Sequence, residues 1–324
     1  PGCYDPMPVT TRPCPPVIPA QTDFSRREGK FYVRDVYQGS GMESVRHGEI
    51  KYLRIIEAPP KRAWTPAGGG GIDADQAPLM NWNLVNNKRI IGDVPVETDG
   101  SAYFSVPANT YVYFQTLDAN KMMIQSMRSG TFLQPGETVG CVGCHESRQD
   151  VPPFRSAAAW TRPISIPEPW YGRPREFNYL SEVQPVLDRH CVRCHDFGKQ
   201  AGSTLNLAGD LGVLFNMSYL ELHRRSAVRW FPDRPDAPKL LIKAVHDGPP
   251  AVLPAYAWGS HCSRLIDIVR DGHEDVTLSD EELARLITWI DLNAPYYGSY
   301  SSIFPNHPFG RSPLDNEQLG RLAE

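Results

Sequence analysis

Two periodicities divide the chain. From Phe31 to Arg128 the apolar residues come in short runs rich in β-branched and aromatic side chains, as in Phe31-Tyr-Val-Arg-Asp-Val-Tyr37 and Ile50-Lys-Tyr-Leu-Arg-Ile-Ile56. Such runs predict strands. Val94–Glu97 and Ala102–Val106 flank Thr98-Asp99-Gly100, a predicted hairpin because Gly accepts the positive φ of a tight turn. Tyr111–Leu117 and Met122–Met127 flank Asp118-Ala119-Asn120 and predict a second one. After residue 175 the spacing becomes helical. Ser181 is the expected cap of a helix whose apolar positions Val183, Val186 and Leu187 lead into Cys191. Ser263–Gly272 predicts another, with Leu265, Ile266 and Val269 on one face and Gly272 as its stop. In Thr277–Asn293, Ser279 and Glu282 form a capping box, and Leu283, Leu286, Ile287 and Ile290 follow the i, i+3, i+4, i+7 rule.

Prolines 152, 153, 163, 167, 169 and 174 fall between the two patterns and mark the expected boundary. The predicted class is α+β, an N-terminal β-sandwich-like domain followed by a mainly helical one. The layout reads as a Pro-rich extended arm (1–20), a β-rich domain (21–150), a Pro-rich linker (151–175), a helical domain (176–300) and a tail (301–324). Gly68–Gly71 reads as a loop tip.

The chain has 324 residues and 31 prolines, about twice an average usage of roughly 5%, which argues against an all-helical bundle. A formal charge of −4 and a pI of 6.2 make a nucleic-acid partner a poor expectation. No apolar run approaches the roughly 20 residues of a membrane-spanning helix, so a transmembrane protein is not expected. The start at Pro1-Gly2, without Met, reads as a processed product or a fragment.

Cysteine spacing carries the chemistry. Cys141-Val-Gly-Cys144-His145 and Cys191-Val-Arg-Cys194-His195 are two copies of C-x-x-C-H, the covalent attachment pattern of haem c. Two intervening residues let both sulfurs reach the vinyl groups of one porphyrin, and the adjacent His lies beneath the ring, where its imidazole can bind iron. A zinc ribbon wants its second pair about 15–20 residues on. Here 46 residues separate Cys144 from Cys191. Two covalently bound haem c groups are therefore expected, and thioether attachment places the protein in the periplasm, outside the cell or in an equivalent lumen, where disulfides also form.

The remaining candidates keep open roles. His261 could hydrogen-bond a propionate, ligate the first haem or cap a helix. His190, directly before Cys191, could ligate a neighbouring haem or simply favour the helix end. His47, His223, His246 and His307 read as surface residues. Met122, Met123 and Met127 could offer sulfur to the first haem, although strand alternation explains them equally. Cys3 and Cys14 are the preferred disulfide, leaving Cys262 unpaired.

A helix bearing C-x-x-C-H, a loop-rich middle and an amphipathic last helix resemble a class I cytochrome c. In many such domains a Met-Pro-Pro segment precedes a helix start like Leu278-Ser-Asp-Glu-Glu282. Here His273 occupies that upstream place, so the resemblance implies that His273 replaces the methionine as iron ligand. A closer resemblance is to the hydrazine synthase alpha subunit and its relatives. It is carried by Tyr113-Phe-Gln-Thr-Leu-Asp118, Met127-Arg-Ser-Gly130, Gln134-Pro-Gly-Glu137, Cys141-Val-Gly-Cys-His-Glu146, Trp258-Gly-Ser-His261 and Trp289-Ile-Asp-Leu-Asn-Ala-Pro-Tyr-Tyr297. In the synthase the first motif His binds zinc, and a Tyr four residues on ligates iron. This chain has Gln149 there, which leaves His145 to bind iron in the ordinary way.

The leading expectation is electron transfer through a bis-His second haem, with a redox protein or neighbouring cytochrome as partner, and not catalysis. Synthase-like or other haem oxidoreductase catalysis at the first haem is the alternative, and a dihaem peroxidase is a weaker one. A structural, self-assembling filament subunit stands outside redox chemistry.

Overall fold

The computed structural model describes residues 10–11, 13–14, 16–60, 87–144, 156–212, 215–224, 241–244, 252–298 and 321. It is an α+β protein. The strands are β1 (Glu28–Val33), β2 (Tyr52–Glu57), β3 (Arg89–Pro95), β4 (Ala102–Pro107), β5 (Val112–Leu117), β6 (Met123–Ser126) and β7 (Thr138–Cys141). They form two sheets, ordered β4-β1-β7 and β3-β2-β5-β6. Phe31 of β1 and Phe104 of β4 meet Phe114 of β5 edge-on across the gap, at 5.2 and 5.4 Å between ring centroids. Leu53, Ile55 and Val94 complete this sandwich core.

The strands predicted from sequence are present, but the Phe31–Tyr37 run leaves its strand after Val33, and β7 lies beyond the predicted strand region. Thr98-Asp99-Gly100 does not close a hairpin, because β3 and β4 belong to different sheets. The turn is a corner between them, closed by hydrogen bonds from Glu97 N to Ser101 O and from Gly100 N to Glu97 O. A Cβ on Gly100 (φ +85°) would lie 2.3 Å from Asp35 Oδ1, so the corner needs glycine for conformation and for space. The second hairpin is present as β5 and β6.

The helices are α1 (Tyr179–Glu182), α2 (Gln184–His190), α3 (Gln200–Thr204), α4 (Met217–Arg224), α5 (Arg264–Asp271) and α6 (Asp280–Asp291). The first begins before the expected Ser181: Asn178 is the cap, its side chain accepting from Leu180 N at 2.8 Å. The Ser279–Glu282 capping box forms as predicted, and α5 stops at Gly272 with φ +93°.

Strand parity explains how helices and sheets join. Leu53, Ile55 and Phe114 point into the sandwich, whereas Ile56, Ile90 and Tyr113 belong to a second core shared with Leu187, Leu286, Trp289 and Ile290. The β3-β2-β5-β6 sheet is thus covered on both faces. The segment read as a linker lies against the strands, bridging Phe104 to Ser165 and Asp93 to Glu168, and Glu176 just beyond it bridges to Arg89.

Candidate functional site

The first cysteine pair sits at a sheet edge. β7 runs parallel to β1, pairing Cys141 with Val33. The loop beyond is held by three backbone bonds: Arg34 N to Cys141 O, Asp35 N to Val142 O and Cys144 N to Gln38 O, at 3.0, 3.1 and 2.7 Å. Gly143 permits the last, since a Cβ there would lie 2.3 Å from Gln38 O. Cys141, Gly143 and Cys144 line a cavity of about 250 Å³ whose apolar wall includes Val33, Leu53, Phe114 and Met127. Met127 is the one of the three candidate methionines on this cavity. Met122 receives Arg270 Nη1 at 3.2 Å, and Met123 packs with Trp258. His145 and Gln149 lie outside the described residues, as do Cys3, His246 and His307.

The second pair follows α2. Leu187 O accepts from Cys191 N at 2.8 Å, and Cys191 O accepts from His195 N at 2.9 Å, so the motif continues the helix turn. Burial pushes the Cys191 thiol up to about 11. His195 Nδ1 lies 3.0 Å from Leu205 O. With Nδ1–H donating there, Nε2 is the free, basic nitrogen.

The His273 ring faces it, with centroids 6.0 Å apart. A metal–imidazole nitrogen distance of about 2.0 Å, plus roughly 1.1 Å from nitrogen to centroid, would put two axial rings about 6.2 Å apart. The observed separation is of that order, with the ring planes inclined at 35°. Residues 78 positions apart in sequence are brought together by two ties to the motif. Arg193, inside C-x-x-C-H, pairs with Asp275 at 2.9 Å. Glu282, at the start of α6, binds Arg189 and lies 3.0 Å from His190 Nε2. Burial alone would raise Glu282, but hydrogen bonds from Ser279, His190 and Arg189 hold its carboxyl down at about 2.

His261 is placed elsewhere. Its Nε2 is 3.4 Å from Asp118 Oδ2 at the β5–β6 turn, and its ring meets Tyr256 edge-on. Neighbouring Cys262 Sγ donates to Tyr256 O at 2.7 Å. Cys14 is exposed. Among the described residues no group of three or more His, Cys, Asp or Glu gathers as a zinc site would require.

Sequence reasoning missed three buried polar groups. His223, read as a surface residue, is fully buried, stacked on Tyr219 at 3.9 Å with Nδ1 2.9 Å from Tyr219 O. Arg54 is buried against Asp93 (2.8 and 3.1 Å) and donates to Thr288 of α6 at 3.2 Å. Asp291 accepts from Met123 N, Ser260 N and Ser260 Oγ at 3.0, 2.7 and 3.0 Å. Burial raises its carboxyl to about 6 against those bonds and the Arg54 charge. Arg54 alternates with apolar strand residues and Asp291 follows the apolar stripe of α6, so pattern alone reads both as exposed, and no pattern marked the helix that carries His223.

Comparison with known proteins shows what the chain resembles. Residues 48–146 match the family model of the hydrazine synthase alpha subunit middle domain. The chain is 23% identical to hydrazine synthase subunit alpha of Kuenenia stuttgartiensis over 328 aligned positions, covering 80% of this chain and 40% of that protein. It superposes on the structure of Kuenenia stuttgartiensis hydrazine synthase with a TM-score of 0.60 at 19% identity, covering 87% of this chain and 45% of the other. The chain spans less than half the length of these relatives.

Proposed function

As a relative of the hydrazine synthase alpha subunit, this chain is, we propose, an extracytoplasmic dihaem c-type cytochrome whose second haem relays electrons. The observation that carries the reading is the pair His195 and His273, 6.0 Å apart beside Cys191 and Cys194. In this reading Cys141, Cys144, Cys191 and Cys194 form the thioether bonds, and His145 would ligate the first iron. When bound, a haem with two imidazole ligands exchanges electrons but offers no open position to substrate. The chain's part is to hold both rings in place. Leu205 fixes the His195 tautomer, while Gly272 and the α6 cap immobilise the connector bearing His273. Covalent attachment places the protein in the periplasm or beyond the cell. Its partners are a redox protein or neighbouring subunits.

The test is His273→Met in the haem-loaded protein. Haem should stay attached, and the potential of that haem should rise as sulfur replaces nitrogen. If His273→Ala leaves the low-spin spectrum unchanged while His261→Ala turns half the haem high-spin, the assignment is wrong.

The cavity behind Cys141 and Cys144 favours a second reading, catalysis at the first haem. A high-spin ferric band that shifts on adding cyanide would support it, and wholly low-spin spectra would favour the relay alone.

A further inference from the structure

The cavity beside the first cysteine pair holds a charge without a counterpart among the described residues. Arg128 lines it together with Gln125, Ser126 and Ser129, and its described lining contains no Asp or Glu. The guanidinium Nε and Nη2 are buried and have no hydrogen-bond partner. Arginine cannot shed its charge, and a buried charge is costly unless it is paired. Its position is fixed from both sides. Met127 N donates to Phe114 O at 3.0 Å, and Thr131 exchanges backbone bonds of 2.8 and 2.9 Å with Val112, so 128–130 arch out from β5. Among the described residues nothing supplies a partner for these two nitrogens, which leaves the position suited to an anion.

Covalent attachment would bring such an anion with it. A porphyrin joined through its vinyl edge to Cys141 and Cys144 has its only charged substituents, two carboxylates, at the opposite edge. The same cavity holds the cysteines, an apolar wall of Val33, Leu53 and Phe114, and the unpaired guanidinium. We propose that Arg128 binds a propionate carboxylate of the haem attached at Cys141 and Cys144. Guanidinium and carboxylate match as a two-pronged, charge-assisted pair. The inference rests on the reading that the first motif carries haem.

The experiment uses the haem-loaded protein, with Arg128→Gln and Arg128→Lys compared by potentiometric titration resolved for each haem. Loss of the positive charge leaves the carboxylate uncompensated and favours ferric iron. The first haem's potential should therefore fall in Arg128→Gln and largely recover in Arg128→Lys, while the second haem is unmoved. Resonance Raman spectra of the unsubstituted protein should show the first haem's propionate bending mode at its hydrogen-bonded frequency, which keeps the test open if Arg128→Gln fails to fold. An unbonded frequency, or potentials that do not move, would overturn the inference. So would unchanged potentials with weakened azide binding, which would make Arg128 a site for a free anion. Mass spectrometry separates this failure from that of the underlying reading: a single haem on the unsubstituted chain, at Cys191 and Cys194, would remove the first haem itself.

Discussion

Asp291 shows what a single carboxyl does at the junction of sheet and helix. It accepts from Met123 N, Ser260 N and Ser260 Oγ, and Gly259 (φ +92°) leaves room for it, since a Cβ there would lie 2.7 Å from Asp291 Oδ1. Asp291→Ala leaves two buried backbone N–H groups unsatisfied, at about 1–3 kcal/mol each. Denaturant titration should show a loss on the order of 2–5 kcal/mol, and a loss within error would refute the assigned role. Burial raises this carboxyl from its ordinary 3.8 to about 6, so the folded state holds the proton more tightly than the unfolded chain. Its contribution is complete below pH 3.8 and is lost as pH rises through 6. The protein should lose stability from this group over that range. Asp291→Asn should flatten that part of the pH profile even as it weakens the fold, because an amide presents a donor where two N–H groups need acceptors.

At the scale of elements, legibility followed how local each cause is. The α6 cap was readable because Ser279 and Glu282 satisfy each other within one turn. Ser279→Ala should cost about 1 kcal/mol. It should also loosen the Glu282 contacts to Arg189 and His190, seen as faster amide exchange in α2. The C-x-x-C-H loops were equally plain, being spacings of four residues. What sequence could not give was the second neighbour of a strand. Val94–Glu97 and Ala102–Val106 look like hairpin arms, yet Asp35 and Tyr37 fill the inside of the turn and send the chain to the other sheet. Arg54 and Gln115 alternate with apolar residues as solvent-facing positions do. They are buried because α6 lies over that face, where Thr288 and the Asp291 carbonyl take their hydrogen bonds. The His195–His273 meeting was legible only by resemblance, since nothing within 78 residues of chain announces it.

For the whole molecule, the shared core decides cooperativity. Ile56, Ile90, Tyr113 and Met122 from the strands pack in one cluster with Val183, Leu187, Leu286 and Trp289 from the helices. Melting followed by far-ultraviolet dichroism and by tryptophan fluorescence should therefore give one coincident transition. Two separated midpoints would mean that strands and helices unfold independently.

The sheet covered on both faces also sets the order in which the chain can be completed. On the proposed export of this chain, threading through a membrane amino end first would deliver the seven described strands, and with them Cys141 and Cys144, before α6 emerges. Until then Ile56, Ile90, Tyr113 and the Arg54–Asp93 pair face water on a bare sheet. Exposed apolar strand surface is a template for aggregation. On the proposed dihaem reading, the emerging sandwich should need a chaperone in transit, and the first thioether bonds would have their best opportunity in that interval, before the chain's later segments close over it.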